Sequence, residues 1–154
     1  MKRPQDHLAG AGLELPPNPP TPAGIYRSAA LSNGLLFTSG QVPIVRGRLL
    51  AQGKVGQEVE PEVAALCAQA SALNALAAAA ELIDLTEARG CVALRVFVAA
   101  IPAFTDYVAV ADGASRVVQV AFPDAHLPVR TAVGVVSLPL DAPVELELTL
   151  ALDT

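Results

Sequence analysis

The amino-acid sequence predicts an α+β domain in which two helices cover one face of a mostly antiparallel sheet. Three observations support this fold class: an Asn-Gly turn between two apolar runs near residue 33, a long alanine-rich segment after residue 60, and a strictly alternating strand at residues 144–152. At 154 residues the chain is about the size of one domain. We therefore expect a single folded domain at residues 25–154, preceded by a proline-rich N-terminal arm at residues 1–24.

The arm is defined by its prolines, and the domain begins with a hairpin. Residues 16–22, PPNPPTP, hold five prolines in seven positions, which excludes a helix or a central strand and favours an extended, polyproline-like path. The segments IYRSAAL and LLFTSG, residues 25–31 and 35–40, flank Ser32-Asn33-Gly34. Asn-Gly supplies the positive φ angles of a tight turn, so the two segments are expected to pair.

Two helices and a buried strand are predicted for the middle of the chain. The first helix starts at Glu60-Pro61, because proline suits the first helical position. CVALRVFVAAI, residues 91–101, is rich in β-branched residues and predicts a buried strand, and residues from about 104 to 122 predict a second helix that ends before Pro123. Apolar residues recur in the first helix at three- and four-residue steps and form its predicted core face: Val63, Leu66, Ala70, Leu73, Ala77 and Ala80.

The last strand gives the clearest pattern. Residues 144–152, VELELTLAL, place five large apolar side chains on one face and Glu145, Glu147 and Thr149 on the other. The apolar face is expected to lie under the helices, and the other face is available to pack against other subunits. The order strand, strand, helix, strand, helix, strand, strand gives an α+β sandwich.

Composition and charge exclude several classes of partner. The net charge of −5, the pI of about 4.9 and the absence of any basic run argue against a nucleic-acid partner. The N-terminal decapeptide MKRPQDHLAG is not followed by the apolar stretch of a secretory signal, so a cytoplasmic location is expected. Residues 63–80 are uncharged but mostly alanine, which favours a core helix over a membrane span. Cys67 and Cys91 lack metal-ligand spacing and are expected to be buried, reduced thiols, and no metal site is expected.

Arg130 is the first candidate binding residue. It stands near the start of the otherwise apolar segment LPVRTAVGVV, after Pro128, and the small residues Ala132 and Gly134 follow on its side of the strand. Space is therefore left beside a fixed guanidinium, which can bind a carboxylate through two hydrogen bonds. The alternative is a plain charge at a strand end. No standard catalytic motif accompanies it.

Glu145 is the natural second group of such a site. If Ser137 pairs with Val144 across the intervening loop, Glu145 lies opposite Val136 and about 20 Å from Arg130, at ~3.3 Å per strand position. The two residues could then share a site only across a subunit boundary, which favours a closed homo-oligomer. The alternative is that Glu145 is simply one of the polar-face residues.

Several motifs together resemble the RidA (YjgF/YER057c/UK114) family over about residues 23–152. They are Tyr26, TSGQVP (38–43), ALNALAAA in the first helix, RVFVA (95–99) and PVRTAVGVVSLPLDAPVELE (128–147). The resemblance implies a chorismate-mutase-like fold, a homotrimer with three clefts between subunits, and a deaminase that needs no cofactor. Such enzymes hydrolyse small enamines and imines of the 2-aminoacrylate type to 2-oxo acids and ammonia.

Matched position by position, the resemblance assigns a role to each site residue. Arg130 corresponds to the family's carboxylate-binding arginine, Glu145 to its water-positioning glutamate, and Tyr26 to its site tyrosine. Ser39 and Gly40 correspond to part of the cleft wall. The matched set of site residues is completed by Asp112, expected at the substrate-binding pocket.

Three departures from the family's pattern leave the reaction open. Ala132 stands where many deaminases have cysteine, Asp112 where an asparagine is common, and Arg27 where a smaller or uncharged residue is usual. The alternative to a deaminase is therefore a non-catalytic trimeric module that binds small carboxylates. An endoribonuclease, the family's older label, is least favoured, because the chain is acidic and has no Trp and only two Tyr.

Overall fold

The computed structural model describes residues 2–153 as a five-stranded sheet with helices on one face. A two-stranded ribbon, β3 and β4, stands apart from this sheet. The elements in chain order are α1 (Pro4–Gly10), β1 (Ala29–Ser32), β2 (Leu35–Thr38), β3 (Ile44–Val45), β4 (Arg48–Leu49), α2 (Pro61–Ala80), β5 (Ala88–Ala99), α3 (Tyr107–Ala121), β6 (Val129–Val135) and β7 (Val144–Leu152). The α+β class is therefore confirmed.

The strand order is β1-β2-β7-β5-β6, and only the β5–β6 pair is parallel. The predicted pairing of the last two strands, with Ser137 opposite Val144, is wrong, because β5 lies between β6 and β7. Parallel neighbours need a crossover connection, and α3 supplies it between β5 and β6. The loop from β6 to β7 contains Leu140 and Asp141 at φ 60° and 61° and connects strands that do not touch.

The first hairpin forms as predicted. Ser32 pairs with Leu35, and the two turn residues Asn33 and Gly34 have φ angles of 48° and 74°. Both central positions thus take the left-handed conformation of the tight turn that Asn-Gly favours. β2 then continues the sheet by pairing with β7.

The helix α2 has the predicted bounds, but its core face matches the predicted one only in part: Ala70, Leu73 and Ala77 are buried, whereas Val63, Leu66 and Ala80 are exposed. Val63 and Leu66 are 37% and 52% exposed, so the stripe of larger side chains begins on the outer surface. Most of the side chains that enter the core are small, and two are leucines: Ala64, Cys67, Ala68, Ala72, Leu73, Ala75, Leu76 and Ala79. In a segment where most residues are alanine, the spacing of alanines does not show which face of the helix is buried. The prediction therefore relied on the larger residues, and two of these, Val63 and Leu66, lie on the outer surface.

Close contact between α2 and α3 depends on a single glycine. A Cβ at Gly113 would overlap the main-chain carbonyl of Ala65 and lie 2.8 Å from its carbon. The two backbones therefore touch at this point, which fixes the position of α3 against α2. Because Asp112 precedes Gly113, the same contact places its side chain relative to the sheet.

The N-terminal arm is folded in its first part. Residues 4–10 form α1, and the side chain of Leu8 is fully buried in the main core together with that of Leu13. An extended arm was predicted, and residues 16–22 do lack helix and strand. The helical segment was missed because seven residues give too short a pattern to show helical spacing.

The sheet face away from the helices remains largely uncovered. Val129, Val133 and Phe37 on this open face are 74%, 40% and 41% exposed, and Arg95 and Glu147 form an ion pair of 2.8 Å across neighbouring strands. Exposed apolar side chains and an ion pair therefore share this face.

α2 is long and apolar enough to cross a membrane by length and composition, yet 67% of its most apolar stretch is buried inside the protein. It therefore packs as a core helix of the domain. Both cysteines are free and buried, as predicted. Burial raises the pKa of Cys67 to about 11 and that of Cys91 to about 12, which disfavours the thiolate form of both side chains.

Candidate functional site

Five of the six predicted site residues lie in two groups on opposite faces of the sheet. Arg130 and Asp112 meet on the helix side, between β6 and α3. Ser39, Gly40 and Glu145 meet on the open face, where the segment after β2 passes the start of β7. We call them the arginine cluster and the glutamate cluster.

Arg130 faces α3 because of its register in the sheet. It aligns with Leu94 of β5, which is fully buried under the helices. Its Nη1 donates a hydrogen bond of 2.6 Å to Oδ1 of Asp112 and one of 2.9 Å to Oγ of Ser115. Nε and Nη2 make no hydrogen bond to residues 2–153, so one edge of the guanidinium is open.

The geometry of α3 brings the two acceptors to the same point. Asp106 caps the helix by accepting a hydrogen bond from the main-chain N–H of Ala109. Asp112 and Ser115 are three residues apart and therefore lie on the same face of the helix. Ser115 was not among the predicted site residues, because its contact depends on β6 lying beside α3, and the predicted strand pairing did not specify which strand that helix covers.

Solvent exposure differs strongly across this ion pair. The Arg130 side chain is 21% exposed, whereas that of Asp112 is 65% exposed. The guanidinium is thus held in place by its surroundings, and the carboxylate reaches into solvent. A mostly buried arginine in this arrangement is better fixed than a surface arginine and loses less side-chain entropy when it binds an anion.

Glu145 lies under the main chain of the TSGQVP segment. Gln41 and Leu146 exchange main-chain hydrogen bonds of 2.7 and 3.0 Å, which draws Gly40 over the glutamate. A Cβ at Gly40 would overlap Oε1 of Glu145 and lie 2.8 Å from Cδ. Only glycine therefore fits at this position while the carboxyl group stays where it is.

The surroundings of Glu145 raise its pKa above the usual range of a glutamate. The main cause is burial, which disfavours the charged carboxylate, and the charge of Glu147 adds to it. A carboxylate with a raised pKa is a stronger base than an exposed one. It is suited to accept a proton from water.

Gln41 completes the glutamate cluster and was not predicted individually. Its side chain is 5% exposed and donates a hydrogen bond of 3.1 Å from Nε2 to Oγ of Ser39. The Ser39 hydroxyl is thereby oriented near Gly40. The sequence signal was present in the SGQ triplet, in which only the first two residues were singled out.

Tyr26 and Arg27 lie in the bend before β1. Tyr26 is 52% exposed, and its Oη accepts a hydrogen bond of 3.3 Å from the main-chain N–H of Ala23. Within residues 2–153 it makes no hydrogen bond to either cluster. A single chain therefore does not bring Tyr26 together with Arg130 or Glu145.

Arg130 and Glu145 are also separated within one chain. Glu145 aligns with Phe97 of β5, and Phe97 aligns with Val133, three positions beyond Arg130. Three strand positions and two strand spacings put the two Cα atoms about 14 Å apart. Their side chains also point to opposite faces of the sheet. One chain therefore cannot unite them, as predicted, but the reason is their position on opposite faces and not a separation of about 20 Å along a hairpin.

The groove of about 790 Å³ between the proline-rich arm, the β3–β4 ribbon and α2 contains neither cluster. Leu73 and Asn74 form its floor, and the side chain of Asn74 donates hydrogen bonds to the carbonyls of Val42 and Ile44. Across residues 2–153, no group of three or more His, Cys, Asp or Glu side chains is arranged to hold a metal ion.

Known proteins resemble this chain over nearly its whole length. Protein TCP17 from Trypanosoma cruzi is 33% identical over 149 residues, which are 96% of this chain and 92% of that protein. The crystal structure of Atu1372 from Agrobacterium tumefaciens, a protein of unknown function, is 32% identical with a TM-score of 0.87 and covers 97% of this chain and 92% of its own. The structure of a candidate endoribonuclease from Shewanella oneidensis MR-1 is 26% identical with a TM-score of 0.93. The match covers 98% of this chain and 100% of the Shewanella chain.

The Shewanella structure includes the N-terminal region in its match, which agrees with the packing of α1 on the domain. The family described as Endoribonuclease L-PSP matches residues 17–152. The motifs that carry the resemblance, from TSGQVP to PVELE, lie within this range. The chain therefore belongs to the Endoribonuclease L-PSP family, also called the YjgF/RidA family.

Proposed function

We propose that the protein hydrolyses small enamine and imine acids to 2-oxo acids and ammonia, in clefts between the subunits of a homotrimer. The observation that carries the proposal is the open edge of the Arg130 guanidinium, which is fixed at an edge strand by Asp112 and Ser115. A guanidinium edge of this kind binds a carboxylate through two parallel hydrogen bonds.

The trimer supplies the second half of the site. One chain holds the arginine cluster and the glutamate cluster on opposite faces of its sheet and cannot unite them. In the proposed trimer, the arginine cluster of one subunit would face the glutamate cluster of the next across the boundary. The exposed apolar residues of the open face, Val129 and Val133, support association through that face. Tyr26, on the exposed bend before β1, would close the cleft.

The reaction then follows from the chemistry of the two clusters. Arg130 holds the substrate carboxylate and fixes the position of the imine carbon. Glu145 of the partner subunit accepts a proton from water as the water oxygen bonds to that carbon, and the C=N electron pair moves to nitrogen. The nitrogen takes back the proton that the partner's Glu145 accepted. The hydroxyl group of the addition product then gives its proton to the nitrogen, which leaves as ammonia as the C=O bond of the 2-oxo acid forms. Positioning of this kind can lower the activation barrier by several kcal/mol. With ideal orientation of the reactants, the reduction reaches roughly 7–11 kcal/mol.

A second candidate function is a trimeric module that binds small carboxylates without turnover. Two observations favour it: position 132 carries alanine rather than a cysteine, and Asp112 already occupies part of the Arg130 guanidinium. The word endoribonuclease in the family's description has less support here, because the chain carries a net charge of −5 and no Trp. In either case we place the protein in the cytoplasm.

The test is hydrolysis of freshly generated imines of several L-amino acids, in competition with semicarbazide. We expect the wild-type protein to accelerate loss of the imine and Arg130→Ala to abolish the acceleration. Arg89→Ala is the matched control, because Arg89 is an exposed arginine paired only loosely with Asp153, at 3.6 Å. Binding of small carboxylates without any acceleration would favour the second candidate, and equal rates for wild type and Arg130→Ala would exclude Arg130 as the anchor.

A further inference from the structure

We propose that the groove beneath the proline-rich arm, which we call the arm groove, binds a small primary amine with an apolar chain, in its ammonium form. The arm groove is the space of about 790 Å³ between residues 14–21, the β3–β4 ribbon and α2. It contains neither the arginine cluster nor the glutamate cluster, so this inference is independent of the proposed function.

The walls of the arm groove suit a hydrocarbon chain. Ala70 and Leu73 of α2 and Ile44 and Val45 of the ribbon line it on one side, and proline rings of the arm line it on the other. Its volume lies within the range of about 300–1,000 Å³ that is usual for small-molecule sites, which are mostly apolar with a few placed polar groups. The polar groups of the groove therefore decide which head group the ligand carries.

The main chain of the arm supplies hydrogen-bond acceptors and few donors. Proline has no main-chain N–H, so within PPNPPTP, residues 16–22, only Asn18 and Thr21 keep one. No main-chain carbonyl of residues 14–22 accepts a hydrogen bond from another main-chain N–H in residues 2–153. These carbonyls are free to accept hydrogen bonds from a ligand.

The floor of the arm groove also presents an acceptor. The Asn74 side chain is 2% exposed, and its Nδ2 donates hydrogen bonds of 2.9 and 3.0 Å to the carbonyls of Val42 and Ile44. Both amide hydrogens are thereby used, which fixes the orientation of the amide and leaves Oδ1 as its free group. Oδ1 accepts no hydrogen bond within the described part of the chain, although buried polar atoms usually have a partner. A purely structural role of Asn74 accounts for Nδ2 and leaves Oδ1 unexplained.

Two charged side chains line the arm groove, Glu14 on the arm and Arg46 at the turn of the ribbon. Neither takes part in an ion pair with any residue from 2 to 153. An ammonium group has three donors and no acceptor, so it matches Glu14 and the free acceptors of the groove. A carboxylate would have Arg46 as its only charged partner and would leave Asn74 Oδ1 unsatisfied. Because Arg46 repels a second positive charge, a monoamine is favoured over a diamine.

The experiment compares n-butylamine, 1-butanol and 1,4-diaminobutane, which share a four-carbon chain and carry one, no and two ammonium groups. Affinities are measured by ligand-detected NMR titration of the purified protein at neutral pH. We expect n-butylamine to bind at least about tenfold more tightly than 1-butanol, because a hydrogen bond from a charged donor is roughly twice as strong as a neutral one. It should also bind more tightly than 1,4-diaminobutane.

Three variants locate the site. Ala70→Leu places a larger side chain in the arm groove and should abolish binding of n-butylamine, with folding checked by circular dichroism. Glu14→Gln should lower the affinity for n-butylamine and leave that for 1-butanol unchanged, and Arg46→Ala should bring the diamine to the affinity of the monoamine. Glu62→Gln is the matched control and should change none of these affinities, because Glu62 is an exposed residue of α2 outside the groove.

Three results would overturn the inference. They are equal affinities for n-butylamine and 1-butanol, binding of n-butylamine that Ala70→Leu and Glu14→Gln leave unchanged, and no binding of any of the three compounds. Each of these results leaves the deaminase proposal standing, because that proposal depends on Arg130 and Glu145.

Discussion

At the scale of single residues, Glu145 is the group whose surroundings most clearly oppose its own charge. Burial beside Gly40 and the charge of Glu147 raise its pKa. A carboxyl group whose pKa rises on folding lowers the free energy of unfolding at pH values above its folded pKa. This destabilisation decreases as the pH falls through the pKa of the folded state, and it is absent below the pKa of the unfolded state.

We therefore expect Glu145→Gln to raise the melting temperature at pH 8. The same substitution should lower the rate of imine hydrolysis by about 100-fold or more, since a general base typically contributes that much. Glutamine keeps the shape of the side chain without the charge that burial opposes. The measurement is thermal unfolding at pH 8 and at pH 4, alongside the imine assay. A gain in melting temperature of the same size at both pH values would contradict the role of the charge.

The candidate site residues were singled out from the sequence for reasons that differ between residues, and their roles stay predictions. Arg130 stood out because a charge is unusual at the head of an apolar strand, and Glu145 because it follows a strict alternation. Ser115 has neither signal, since a serine on a helix face is ordinary. Its contact with Arg130 depends on which strand lies beside α3, and no local pattern carries that information.

At the scale of elements, the contact between α2 and α3 rests on Gly113. We expect Gly113→Ala to lower the free energy of unfolding by about 1–3 kcal/mol, because the added methyl group overlaps the main chain of Ala65. Urea denaturation measures this change. Gly10→Ala is the control, since a Cβ at Gly10 meets no atom within 4 Å, and a loss as large in that variant would argue against the close contact.

The helix α1 is expected to stabilise the domain through Leu8. Because this side chain is fully buried in the main core, Leu8→Ala should lower the free energy of unfolding by about 2–5 kcal/mol. Leu127→Ala provides the comparison, as Leu127 is 67% exposed and its loss should change stability by less than about 0.5 kcal/mol. Similar values for the two variants would show that α1 is not part of the core.

Elements were predicted better than their neighbours in space. The spacing of apolar residues, together with the prolines and glycines that bound each element, predicts the approximate ranges of α2, β5, α3 and β7. The order of strands does not, because consecutive strands usually pair and β6 and β7 are an exception. The reason is physical: α3 returns the chain to the far side of β5, and β6 can then only run parallel to it.

At the scale of the whole molecule, the two clusters make a prediction about mixed oligomers. If each site combines Arg130 of one subunit with Glu145 of the partner subunit, trimers assembled at random from Arg130→Ala and Glu145→Gln chains should recover about one quarter of wild-type activity. Each variant alone should be inactive. Co-expression with two affinity tags, followed by the imine assay, measures this recovery, and a mixed sample as inactive as its parents would show that the site does not cross a subunit boundary.

The position of β7 in the sheet also affects how the chain folds during synthesis. β7 pairs with β2 on one side and β5 on the other, yet the ribosome makes it after all four other strands of the sheet. Until it emerges, the β1–β2 hairpin and the β5–α3–β6 unit have no strand to join them, and their apolar faces remain exposed to aggregation. The sheet therefore closes in one late step, and early release of a chain that lacks residues 144–152 would leave two unconnected halves.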